Sequence, residues 1–84
     1  MDDAAVIQKA IKILEGPDAE KILRASMSDL DPLIDLGVLE VDVAYTLQRL
    51  KDAPKEIQTA DDIARQFGSY CVARDIVKIV EGQA

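Results

Sequence analysis

An 84-residue chain of 9.2 kDa, 49% hydrophobic and 31% charged, reads as one small globular domain over residues 1–84, too apolar for a disordered tail and too often interrupted by charge for a membrane protein. It contains no histidine, which removes the commonest general base near neutral pH, the commonest metal ligand and every nucleophile set that relies on imidazole. Its one cysteine, Cys71, can form neither an intramolecular disulfide nor a multi-cysteine zinc site, so no metal is expected and a reducing cytoplasm is the expected compartment. Met1-Asp2-Asp3 is acidic where a secretory leader is basic. No apolar run reaches the roughly 18 residues that span a bilayer, so neither export nor a membrane contact is expected.

Asp2 or Asp3 can cap a first helix, with Val6, Ile7, Ala10, Ile11, Ile13 and Leu14 on one broad face. Gly16-Pro17 ends it, and Pro17 then suits the first turn of a second helix over 17–26, with Ala19, Ile22 and Leu23 inward. A third helix over 29–36 follows, with Ser28 as its cap and Gly37 as its end. It carries Leu30, Leu33 and Ile34 inward. Because the residue before a proline avoids the helical region, the helix can instead start at Pro32 with Asp31 as cap.

The segment 38–50 carries two signals. Leu39, Val41, Val43, Tyr45 and Leu47 alternate with polar or small residues, as in a strand. Leu39, Val43, Leu47 and Leu50 also share a helical face, and the segment ends in good helix formers. A lone strand would lack a partner, so a helix is expected. After a loop at Ala53-Pro54, Thr59 and Asp62 form a capping-box pattern. Ile63 and Phe67 share a face with Ala60 and Ala64 on a helix that Gly68 stops. Ser69 then caps a last helix over 70–81, in which Val72, Ala73, Ile76, Val77 and Val80 are inward. Eight Leu, nine Ile and seven Val supply the core. The fold expected is all-α, a compact bundle of five or six short helices.

Sixteen acidic and ten basic residues give a net charge of −6. No basic residue lies between Arg24 and Arg49, whereas Asp29, Asp31, Asp35, Glu40 and Asp42 all do. If residues 31–36 are helical, Asp31 and Asp35 stand one turn apart and repel, a local cost that a basic partner would relieve. These five carboxylates are the expected partner-binding residues of a small, non-enzymatic interaction module, an adaptor or inhibitor that regulates a basic protein. The same acids lack the alternation and closing glutamate of a calcium loop. Nothing calls for a cofactor.

Two stretches resemble known families. Ile63, Ala64, Phe67 and Gly68, followed by Ser69 and the apolar run from Ile76 to Val80, resemble a helix-turn-helix over residues 59–82, although its turn is one residue short. That resemblance implies the alternative function, a small DNA-binding transcriptional regulator, dimeric, using residues 59–81 with Arg65, Arg74 and Lys78 on nucleic acid. The overall acidity runs against phosphate binding. Asp35-Leu36-Gly37-Val38-Leu39-Glu40 resembles the start of helix II in acyl carrier proteins, where a serine in the place of Glu40 holds the phosphopantetheine arm. Glu40 has no hydroxyl, so no arm can attach. A homodimer burying a remaining apolar stripe is a further expectation, because a core this small yields only about 3–5 kcal/mol.

Overall fold

The computed structural model describes residues 2–82. Asp2 caps α1 (Asp3–Leu14) by accepting the Ala5 N–H at 2.8 Å. Val6, Ile7, Ala10, Ile11 and Leu14 recur at helical spacing and are all buried. α2 (Ala19–Ser26) begins two residues past Pro17, and it buries Ala19 and Leu23.

The expected third helix divides into a single 3-10 turn, Ser28–Leu30, and the short α3 (Asp31–Asp35). Ser28 makes no side-chain cap. Asp31 is itself helical, at φ −48° and ψ −44°, in spite of Pro32. The preceding turn already delivers a helical backbone, and at the first turn the missing proline N–H costs no hydrogen bond. Leu30 and Leu33 are 40% and 42% exposed rather than inward, because α3 lies on the rim of the bundle. Gly37 adopts φ 76° and closes the helix. The Val38 N–H reaches the Leu33 carbonyl and the Gly37 N–H the Ile34 carbonyl, each at 3.0 Å. Such a closure requires a left-handed residue, which glycine supplies without a Cβ penalty.

Both signals in 38–50 correspond to structure. Residues 38–42 are neither helix nor strand, and there is no strand among the described residues. Leu39 and Val41 in this stretch, and Val43 just after it, are half-buried, while Glu40, Asp42 and Ala44 are exposed. The alternation therefore marks an extended segment lying along the core. α4 (Val43–Lys51) follows, with Asp42 as cap, accepting the Tyr45 N–H at 2.9 Å. It anchors through Leu50, which is fully buried.

The largest departure from expectation is α5 (Ala60–Gly82), 23 residues of unbroken helix through Gly68 and Ser69. Its start is the expected capping box. The Asp62 N–H donates to Thr59 Oγ1 at 3.2 Å, and the Thr59 N–H donates to the Asp62 carboxylate at 3.1 Å. Gly68 does not end it. A helix already nucleated on both sides absorbs one glycine at about 1 kcal/mol, and Ser69 belongs to the packed face with only 3% exposure. Ser69, Ala73, Ile76 and Val77 are its buried residues. Ile63 and Phe67 face solvent, not the core.

α1 lies along α5 and touches α4 and α2, so first and last helices together form the centre of the bundle. The core joins the buried face of α1 to Ala19, Leu23, Leu50, Ala73, Ile76 and Val77. A Lys9–Glu81 ion pair at 2.9 Å ties the α1–α5 contact at the surface. Among the described residues no helix is long and apolar enough to cross a membrane.

Candidate functional site

The acidic cluster predicted from sequence does not act as one unit. Arg24, at the end of α2, reaches across the 3-10 turn. Its Nε lies 3.2 Å from Asp31 and a terminal nitrogen 3.1 Å from Asp35. The repulsion expected between these two carboxylates is thus relieved within the chain, and the inference that they await a basic partner is overturned. Asp42 is occupied as the cap of α4, with one carboxylate oxygen on the Tyr45 N–H. Asp29 and Glu40 are exposed and form no ion pair among the described residues.

Asp29, Glu40 and Asp42 come together around a cleft of about 530 Å³. The 3-10 turn, the extended 39–42 segment, α4 and α5 form its walls. Leu23, Met27, Leu30, Leu39, Tyr45 and Val72 line it with apolar surface. A fourth carboxylate, Asp75, arrives from α5, and Arg49 from α4 is the single cation. Four acids against one base leave the lining at −3. Asp75 has Arg74 Nε at 3.7 Å, a loose pairing between exposed neighbours.

Sequence reading missed Asp75, because 33 positions separate it from Asp42 and only the packing of α5 brings it to the cleft. Tyr45 also lines the cleft. The strand-like alternation that includes Tyr45 stops where α4 begins, and the ring is 67% exposed.

Arg74 and Lys78 share a face of α5 one turn apart, but Arg65 does not join them. With no turn at Gly68 the helix-turn-helix does not form. On one continuous helix, Arg65 and Arg74 are nine residues apart and point about 180° from one another. Arg65 is also held by Asp61 at 3.0 Å and Asp62 at 2.8 Å. Arg74 lies over the Tyr70 ring at 5.8 Å. Cys71 is half-buried in the interior of α5, remote from either helix end, where no helix dipole acts on its thiol.

The one clear titration effect lies at the start of α5. The Gln58 N–H, with the Arg65 guanidinium and Thr59, pulls the Asp62 carboxyl below its ordinary value against a smaller desolvation effect. Among the described residues no group of three potential metal ligands converges. The chain matches no protein-family model, no curated protein and no solved structure.

Proposed function

We propose that this protein is a small non-catalytic interaction module whose cleft between the 3-10 turn, α4 and α5 holds a basic segment of a protein partner. The observation that carries this reading is the conjunction of an apolar floor with Asp29, Glu40, Asp42 and Asp75 on its rim and one arginine against them. An apolar anchor from the partner gains burial on Leu30, Leu39 and Val72, and flanking lysines or arginines meet the rim carboxylates. Asp31 and Asp35 leave the binding set, because Arg24 already pairs with both. A non-enzymatic role as adaptor or inhibitor fits a chain without histidine. A cytoplasmic setting fits its single cysteine.

The test is an NMR titration of the labelled protein with two synthetic peptides of identical apolar residues, one flanked by lysine and arginine, the other by glutamate. The basic peptide is expected to shift amides of residues 27–30, 39–46 and 72–75, with an affinity that falls as salt rises. Asp29→Lys with Glu40→Lys is expected to abolish these shifts, and Asp31→Asn with Asp35→Asn to leave them in place. Equal binding of the acidic peptide, or shifts confined to other surfaces, refutes the reading.

A further inference from the structure

Arg49 is the one cation lining the acidic cleft, yet it forms no ion pair among the described residues. Its side chain turns toward α5 instead, where a terminal nitrogen lies 3.2 Å from the place a Cβ on Gly68 would take. Gly68 lines not the cleft but a second hollow of about 460 Å³ between α4 and α5. Tyr45 and Arg49 line both, so the two hollows adjoin along α4. Their charges differ. In the second, Arg49 and Arg65 stand against Asp52 alone. Arg65 is already held by Asp61 and Asp62, and Asp52 accepts the Gln48 amide at 2.9 Å. Arg49 is therefore the cation left unanswered, at the boundary between the four rim carboxylates and a hollow with a single acid. An interior glycine weakens a helix, and at residue 68 it leaves the Arg49 guanidinium room beside α5.

On the reading that the cleft holds a basic segment of a partner, we propose that Arg49 sets the direction of that segment by receiving one of its acidic side chains. Charge complementarity selects the occupant. The rim carboxylates favour lysine or arginine on one side of the apolar anchor, and Arg49 favours glutamate or aspartate on the other. A planar guanidinium meets a carboxylate with two parallel hydrogen bonds. The spacing follows from α5. Val72, on which the anchor packs, and Gly68, beside which the guanidinium lies, are one turn or about 6 Å apart along the helix. An extended segment covers that distance in about two residues and keeps both side chains on one face. The partner segment thus carries an apolar anchor, basic residues to one side and an acidic residue two positions to the other. The second hollow runs on past Arg49 to Ala53 and Ala64, so the partner chain continues there and the carboxylate is a side chain, not a chain end.

Calorimetric titration at low salt with three lysine-flanked peptides of one apolar anchor tests this. The first carries glutamine two positions from the anchor on both sides; the others carry glutamate in place of the glutamine before it or after it. One glutamate peptide is expected to bind about two- to fivefold more tightly than the glutamine peptide, the gain of an exposed ion pair. The other is expected to bind more weakly, because its glutamate falls among the rim carboxylates. Arg49→Gln, at an exposed position, is expected to abolish the gain of glutamate over glutamine and to keep the loss. Failure of all three peptides to bind overturns the cleft reading and the role of Arg49 with it. Binding of the glutamine peptide with no gain from glutamate on either side, an equal gain from both, or a gain that survives Arg49→Gln leaves the cleft reading in place and overturns the role of Arg49.

Discussion

Replacing Gly68 with alanine has opposite signs in an unbroken α5 and in two helices meeting at a turn. In a helix interior glycine is about 0.8–1 kcal/mol worse than alanine, because it fixes more backbone freedom. Against that gain, a Cβ at residue 68 would lie 3.2 Å from a terminal nitrogen of Arg49. That nitrogen is the far end of a flexible, exposed side chain, which can withdraw a few tenths of an ångström at small cost. The expected net effect is a stabilisation of about 0.5–1 kcal/mol, or a Tm higher by about 2–8 °C for a domain of this size. Thermal and urea unfolding followed by circular dichroism measure it, with an unchanged m-value as the control for a two-state comparison. A turn glycine would give destabilisation of about 1 kcal/mol or more. Arg49→Ala combined with Gly68→Ala removes the crowding. A loss of stability that persists in the double variant refutes the continuous helix.

Arg24→Ala releases Asp31 and Asp35 to repel one another on α3 and is expected to cost about 0.5–1 kcal/mol at low salt, a modest figure because all three groups are substantially exposed; a difference from wild type that fails to shrink in high salt contradicts the pairing. Asp42→Ala removes the cap of α4 and should cost about 1 kcal/mol in urea unfolding, whereas Asp42→Asn should keep most of it; equal losses would show that the Tyr45 N–H bond contributes little. Asp62 binds its proton less readily in the folded chain than at the ordinary value of 3.8, so its contribution is fully present above that value and is lost as pH falls through the lower native one. Carboxyl NMR should show Asp62 titrating below 3.8, with amides 58–63 following, and a titration at or above that value removes the capping argument.

How far the fold was legible depended on how local each signal was. α1 could be read from Val6 to Leu14 because five apolar residues on one face have only one burial solution. The Gly37 closure and the Thr59–Asp62 box were legible because a cap is a contact between near neighbours in sequence. Gly68-Ser69 misled for the same reason: as a local signal it is a helix stop followed by a cap. The burial of Ser69 and Ala73 against the rest of the bundle outweighs it. Periodicity showed that Ile63 and Phe67 share a face, but not that a different face of α5, through Ser69, Ala73, Ile76 and Val77, is the one turned to the core. Treating 60–82 as one helix and marking both stripes was the signal available. At the candidate site, Asp29, Glu40 and Asp42 were found from charge spacing. Arg24 was noted only as the edge of a basic gap, since its contacts with Asp31 and Asp35 depend on the chain reversing through the 3-10 turn.

The pairing of α1 with α5 imposes an order on folding. Lys9 and Glu81, 72 positions apart, meet at the surface of that contact, and the buried face of α1 closes largely on α5. At a synthesis rate of about 5–20 residues per second, α1 waits roughly 4–14 seconds for its main partner. During that interval Val6, Ile7, Ile11 and Leu14 have only α2 and α4 to cover them. A fragment that stops before α5 keeps every capping signal of its helices yet lacks Ala73, Ile76 and Val77, and it is expected to remain unfolded. The core that α1 starts is thus completed only when α5 packs on it, and docking of that long helix is expected to be the step that commits the fold.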